Sequence, residues 1–142
     1  MRISEIDSRA GFARAFPVMR ELRTHLDEDG YFAFLDVMIP SGYRLLARED
    51  DAGEIVALAG FARAANFYYG RYIWVYDLVT SAKIRSAGHG KALLDHLEAT
   101  ARTEGLDTIA LSSGLERSDA HRFYEDKAGF ERASYSFTKR LK

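Results

Sequence analysis

The sequence contains no cysteine and only two prolines among its 142 residues. Without cysteine, the chain has no disulfide, no thiol nucleophile and no cysteine-ligated metal site. Neither sign of charge dominates, because 20 Lys and Arg stand against 21 Asp and Glu and give a net charge of -1. This balance argues against a protein that binds nucleic acid, since such a protein must neutralise phosphates.

The length and composition are typical of one domain. Two domains would have about 70 residues each, a size at which a single hydrophobic core is marginal. The chain is 47% hydrophobic and 29% charged, without a repeat, a low-complexity tract or a linker. No apolar run approaches the ~20 residues that span a bilayer, and the first residues lack the apolar core of a signal peptide. We therefore predict a single cytoplasmic domain, 1–142, with no membrane partner.

The first third of the chain predicts two helices. Over 12–26, apolar residues recur every three or four positions, at Phe12, Phe16, Met19, Leu22 and Leu26. Pro17 is tolerable only near the start of such a helix. A second helix, 31–38, follows a break at Asp29-Gly30 and is stopped by Pro40.

The rest of the chain predicts five strands and two further helices. The strands are 43–47, 54–61, 72–79, 108–112 and 132–141, and the second and third form a hairpin near Gly70. The helix 88–104 has a core face of Leu93, Leu94, Leu97 and Ala101, and Gly105 ends it. Ser118 or Asp119 caps a short helix that Gly129 terminates. Antiparallel strands followed by a strand–helix–strand crossover indicate an α/β fold with a mixed sheet.

A glycine-containing loop precedes the long predicted helix, with the sequence Arg85-Ser86-Ala87-Gly88-His89-Gly90-Lys91. The first turn of a helix has unpaired N–H groups, and glycines let the backbone lie against a phosphate. The spacing fits neither a Walker A loop nor a dinucleotide fingerprint, which would need glycine at Leu93. The pattern indicates a phosphate or pyrophosphate site, and a plain strand-to-helix turn is the alternative.

The segment Arg85-x-x-Gly88-x-Gly90 resembles the coenzyme A-binding motif Q/R-x-x-G-x-G/A of the GNAT N-acetyltransferase superfamily. Residues 120–130 are similar to that family's A-x-x-F-Y-x-x-x-G-F segment, with one extra residue before the glycine. Other segments, 112–124 and 136–139, resemble members that act on small amines, including aminoalkylphosphonate acetyltransferases. The resemblance covers 54–141. It implies a mixed, mostly antiparallel sheet with a splayed central parallel strand pair, flanked by about four helices.

The resemblance also implies acetyl-CoA as co-substrate and direct attack by an amine within a ternary complex. It assigns to acetyl-CoA binding the residues Leu78, Val79, Thr80, Arg85, Ser86, Ala87, Gly88, His89, Gly90, Lys91, Ser118 and Tyr124. Tyr124 matches the family tyrosine near the coenzyme sulfur, and its hydroxyl suits protonation of the leaving thiolate. Its alternative role is a core aromatic beside Phe123. A backbone N–H near Val79 would stabilise the oxyanion.

Several residues keep more than one interpretation. Asp77 is a candidate catalytic base acting through water, a contact for the substrate ammonium, or a structural carboxylate at the strand end. His89 can touch a phosphate or be an exposed histidine at the helix start, and it stands where the family often has Ile. Alternation places Tyr72, Trp74 and Tyr76 on one face, where they wall an acceptor pocket, bind a cationic amine or pack against another element.

We therefore expect an acetyl-CoA-dependent N-acetyltransferase that acts on a primary amine of a small molecule and uses no metal. A non-catalytic acyl-CoA-binding sensor and a protein or peptide N-acetyltransferase are the alternatives. The sequence does not identify the amine and leaves a homodimer open.

Overall fold

The computed structural model describes residues 1–84 and 88–142. Its elements are, in chain order, β1 (Arg2–Glu5), α1 (Arg9–Leu22), α2 (Glu28–Met38), β2 (Arg44–Glu49), β3 (Ile55–Asn66), β4 (Gly70–Thr80), a 3-10 turn (Ala82–Ile84), α3 (His89–Thr103), β5 (Thr108–Leu111) and α4 (Ser118–Arg122), which continues as a π-helical turn (Phe123–Lys127). The chain divides into two compact units, Met1–Leu111 and Ser112–Lys142. Within the described residues, no helix has the length and apolar character needed to cross a membrane.

The first unit contains a five-stranded sheet in the order β1-β2-β3-β4-β5. The first four strands are antiparallel, and β4 and β5 are parallel. This confirms the mixed, mostly antiparallel sheet and its parallel pair. Strand β1 was not predicted, because its four residues are too few to show a period. It pairs with β2, and Arg2 donates to Glu49 Oε1 at 3.1 Å.

Both N-terminal helices begin earlier than predicted, and α1 also ends earlier, at Leu22 and not at residue 26. Helix α1 begins at Arg9, where the Ser8 side chain accepts from the Gly11 N–H at 3.0 Å. Pro17 lies well inside α1 and not near its start. It is exposed, so water can satisfy the carbonyl that loses its helical partner. Asp29-Gly30 does not separate the two helices as predicted. Both residues lie inside α2, because Asp27 caps this helix and accepts from the Gly30 N–H at 2.7 Å.

Helices cover both faces of the sheet. Side chains of α1 and α2 form one cluster with β2, β3 and β4 that includes Phe16, Met19, Tyr31, Leu45 and Leu58. The predicted core face of α3 is confirmed, since Leu93, Leu94, Leu97 and Ala101 are all buried. Strand β3 is buried at every residue from Val56 to Ala62, as expected for a strand covered on both faces.

The second unit contains α4, the π-helical turn and the C-terminal residues. The predicted side-chain cap is absent, since Arg117 occupies the N-cap position and makes no side-chain cap hydrogen bond. The predicted strand 132–141 is also wrong, because these residues have no regular secondary structure. Its alternating apolar residues are exposed, Phe137 by 95%. Alternation alone does not make a strand, since a strand also needs a partner for its backbone groups.

Candidate active site

The second half of β4 is paired on one side only. The parallel pairing with β5 runs from Tyr72 to Val75 and stops there, whereas the antiparallel pairing with β3 continues to Thr80. Among the residues that the structure describes, 76–80 therefore have no strand partner opposite β3. Because no strand of the described residues pairs with this side, its backbone groups are suited to bind another extended group. This stretch contains Leu78, Val79 and Thr80, for which the sequence predicted contacts with acetyl-CoA.

A bulge lies where β4 loses its parallel partner. Gly60 pairs with Asp77 and Phe61 pairs with Val75, so Tyr76 is the extra residue. Tyr76 is 47% exposed, while Val75 and Asp77 on either side of it are buried. Bulges bend a strand, redirect side chains and are common beside active sites. The bulge thus separates the fully paired half of β4 from its free half.

Asp77 lies in a network that uses both of its carboxylate oxygens. Arg23, the C-cap residue of α1, donates from Nε to Asp77 Oδ1 at 3.0 Å, and its Nη2 lies 2.9 Å from the same oxygen. The same Nη2 donates to the Tyr76 carbonyl at 2.9 Å. Tyr43 Oη donates to Asp77 Oδ2 at 2.7 Å. Asp77 is only 8% exposed and its bond with Tyr43 is buried, whereas the Arg23 side chain is 42% exposed and reaches Asp77 from the surface.

The surroundings of this network favour a neutral Tyr43 hydroxyl. Burial, and next the charge of Asp77, raise the pKa of Tyr43 well above its usual value. The phenol therefore remains a donor at neutral pH. Gly60 leaves the space that the bond needs, since a Cβ there would collide with Tyr43 Oη and Asp77 Oδ2.

The N-terminus of α3 presents open backbone. Its N-cap, Gly88, has φ 75° and ψ 18°, and no side chain of the described residues caps the helix. Gly88 is exposed, and a Cβ built on it would meet no described atom within 4 Å. The N–H groups of the first turn are thus suited to hold an anion such as a diphosphate. Arg85, Ser86 and Ala87, also predicted to contact acetyl-CoA, lie outside the described residues.

The other predicted residues of this segment, His89, Gly90 and Lys91, differ in burial. His89 is only 3% exposed, so the interpretation as an exposed histidine is wrong. It lies four residues before Leu93 and shares the buried face of α3. Burial, and next the charge of Arg48, lower the pKa of His89. Lys91 is exposed and its Nζ lies 2.8 Å from Asp95 Oδ2, while Gly90 is half-buried.

Ser118 and Tyr124 belong to the second unit. Ser118 is the exposed first residue of α4. Tyr124 is half-buried and lies within the π-helical turn, with its ring centroid 5.4 Å from that of Phe123 and 5.9 Å from that of Phe130. Burial raises the pKa of Tyr124, against the opposing charge of Arg117. The hydroxyl therefore keeps its proton at neutral pH.

The π-helical turn explains the extra residue before Gly129 in this block. The Ala128 N–H donates to the Phe123 carbonyl at 3.1 Å, five residues earlier. Such a turn holds one residue more than an α-helical turn, and π turns are frequent at functional sites. Phe123 is half-buried like Tyr124, so burial does not separate a packing residue from a cleft residue here.

Sequence reasoning missed Arg23 and Tyr43. They lie 54 and 34 residues from Asp77 in the chain, and no local pattern links them to it. The one available signal is the alternation of β4, which places the carboxylate of Asp77 on the same face as Ile73, Val75 and Val79, all of which are buried. A buried carboxylate requires a partner.

Comparisons with known proteins add a family match and two relatives. Residues 7–130 match the profile of the acetyltransferase (GNAT) family. The chain is 41% identical over 140 residues to Uncharacterized N-acetyltransferase YhdJ of Bacillus subtilis (strain 168), covering 98% of each protein. It is 32% identical over 100 residues to Aminoalkylphosphonate N-acetyltransferase of Salmonella typhimurium (strain LT2), covering 70% of this chain and 62% of the relative.

A solved structure shows the same fold. The aminoglycoside N-acetyltransferase AAC(6')-Iy, solved in complex with CoA, superposes with a TM-score of 0.83. The alignment covers 98% of this chain and 93% of that chain at 13% sequence identity. At this identity the likeness concerns the fold alone.

Proposed function

The chain belongs to the acetyltransferase (GNAT) family, whose N-acetyltransferases use acetyl-CoA, and from that premise we propose that it acetylates a primary amine of a small molecule by direct attack within a ternary complex. The observation that carries the proposal is the open backbone of the first unit, along 76–80 of β4 and at the N-terminus of α3. Among the described residues, no strand pairs with the first place and no side chain caps the second, and extended amides and phosphates bind to main-chain groups of this kind.

The residues present fit acetyl-CoA. Backbone groups of Leu78, Val79 and Thr80 would hold its extended amide arm. The N–H groups that follow Gly88 would hold its diphosphate, because the helix dipole there favours negative charge. When bound, acetyl-CoA supplies an acetyl group activated as a thioester. A backbone N–H near Val79 would stabilise negative charge on the acetyl oxygen.

Tyr124 would donate the proton that the departing thiolate needs. Its raised pKa keeps the phenol protonated at neutral pH, so the proton is available. We expect Tyr124→Phe to lower kcat about 10²- to 10⁴-fold, the usual contribution of a general acid, and to leave the Kd of acetyl-CoA unchanged. The matched control is Tyr135→Phe, in an exposed residue of the same unit. Equal kcat values for the two variants would remove Tyr124 from the chemistry.

Two observations support a small amine as the acceptor. One relative is named an aminoalkylphosphonate N-acetyltransferase. In this chain, Tyr76 presents a half-exposed ring at the bulge, and aromatic rings attract ammonium groups.

The proposal is tested by thiol release from acetyl-CoA with a panel of amines. The panel contains aminoalkylphosphonates, polyamines, aminoglycosides and peptides with free N-termini, and calorimetry measures acetyl-CoA binding in parallel. We expect thiol release to depend on a small amine. Binding without turnover would identify an acyl-CoA sensor instead, and turnover with peptides alone would identify a protein or peptide acetyltransferase.

A further inference from the structure

The last turn of α1 contacts β4 at both ends of its free half. At one end, Arg23 donates to the Tyr76 carbonyl and pairs with Asp77. At the other end, Glu21 Oε1 accepts from the N–H of Ala82, two residues after β4, at 2.8 Å. The stretch between these contacts is the one whose backbone is free on the side opposite β3.

The contact of Arg23 with Tyr76 meets a need that the bulge creates. Tyr76 is the extra residue of the bulge, so the regular ladder provides no opposite residue for it. The Tyr76 carbonyl accepts instead from Arg23 Nη2 at 2.9 Å, and hydrogen bonds to a charged donor are stronger than neutral ones. This contact holds the bulge at this residue.

The direction of the guanidinium depends on Asp77 and Tyr43. Asp77 Oδ1 accepts a hydrogen bond from Arg23, and Asp77 Oδ2 accepts one from Tyr43 Oη. Charged hydrogen bonds of this kind are stronger than neutral ones, and burial strengthens the bond between Tyr43 and Asp77 further. Gly60 completes the arrangement, because any side chain there would displace both oxygens. The four residues come from α1, β2, β3 and β4 or their immediate ends, so they tie four elements to one point.

We propose that Arg23 is a positioning residue, held by Asp77 and Tyr43, that sets the bulge and thereby orients the free backbone of residues 76–80 toward the acetyl thioester. This inference rests on the proposed function. It assigns Asp77 to hold Arg23 and not to act as general base, because the three short contacts occupy its oxygens.

The first measurement needs no turnover. Amide hydrogen exchange is followed at those amides of residues 76–80 that bond to β3, in Arg23→Gln and in the control Arg20→Gln, which changes an exposed arginine of the same helix. We expect exchange to rise about tenfold or more in Arg23→Gln and to stay at the wild-type rate in Arg20→Gln. Equal exchange in the two variants would overturn the proposal, whether or not the protein is an acetyltransferase.

The second measurement separates positioning from base catalysis. For Arg23→Gln, Tyr43→Phe and Asp77→Asn, we expect kcat to fall about 10- to 100-fold, as small misplacements do, with the Kd of acetyl-CoA within twofold of wild type. The pH profile of kcat/KM should keep its shape in all three, and the double variant of Arg23 and Asp77 should lose no more than the single ones.

The contrary results are equally specific. If Asp77→Asn alone abolishes activity and removes the acid limb of the pH profile, Asp77 is the base and the proposal is wrong. Circular dichroism checks folding, and Arg23→Lys, which retains the charge but not the two-point contact, should give an intermediate loss of kcat. An absence of thiol release with every amine would refute the proposed function, and the exchange measurement would still decide the role of Arg23.

Discussion

Gly88 offers the sharpest test of the phosphate site, because the helix that it begins also ends in a comparable glycine. Gly88 has φ 75° and Gly105 has φ 71°, both in the left-handed region, and a Cβ at either position meets no described atom within 4 Å. Substitution by alanine therefore imposes the same backbone strain at both ends of α3 without a clash in the described protein. Only Gly88 belongs to the proposed diphosphate site.

The magnitudes follow from the two effects. An L-residue in the left-handed conformation costs about 1–2 kcal/mol, so each variant should lose about that much unfolding free energy. At Gly88 the added Cβ would also stand between the backbone and the diphosphate. Loss of one hydrogen bond to a charged group costs about 1.5–3 kcal/mol. We therefore expect the Kd of acetyl-CoA to rise about 10- to 150-fold in Gly88→Ala.

The assay combines urea unfolding with isothermal titration of acetyl-CoA into both variants. Gly105→Ala should match Gly88→Ala in stability and match the wild type in affinity. If Gly88→Ala binds acetyl-CoA as tightly as Gly105→Ala does, the turn before α3 does not hold the diphosphate. If both variants lose affinity equally, the loss comes from general destabilisation and the reasoning fails as well.

Two further predictions concern stability. Leu97 is fully buried on α3, so Leu97→Ala should lower the unfolding free energy, measured in urea, by about 2–5 kcal/mol. The control variant Glu98→Ala, in an exposed neighbouring residue, should change it by less than about 0.5 kcal/mol. Similar values for the two variants would show that α3 does not pack as described. The buried His89 has a lowered pKa, so its contribution is present above the ordinary histidine pKa of about 6.5 and is lost as pH falls. The unfolding free energy of the wild type should therefore decline more steeply between pH 7.5 and pH 5 than that of His89→Leu, and parallel curves would contradict a neutral buried histidine.

The α3 region shows what local patterns can predict. A period near 3.6 identified Leu93, Leu94, Leu97 and Ala101 as the core face, and all four are buried. Gly105 ends the helix in the left-handed conformation, as its position suggested. These features depend on residues within one or two turns of one another.

Two of the errors, both concerning strands, have their origin in pairing between distant parts of the chain, and a third lies in a local helix cap. The alternation over 132–141 is real, but the described backbone supplies no strand beside it. Asp29-Gly30 was predicted to lie between the two helices, yet the cap at Asp27 places both residues inside α2. Strand β1 is too short to show a pattern and exists because β2 pairs with it.

By itself, the sequence determined the core face of α3, the strand pair of the hairpin and, through two spaced motifs, the family. Only the tertiary structure decided that the parallel pairing of β4 stops at Val75, that Tyr76 is a bulge and that Asp77 meets Arg23 and Tyr43. The physical reason is distance along the chain. Periodicity and capping are set by near neighbours, whereas the ion pair between Arg23, at the end of α1, and the buried Asp77 of β4 exists only after the sheet and its helices have packed.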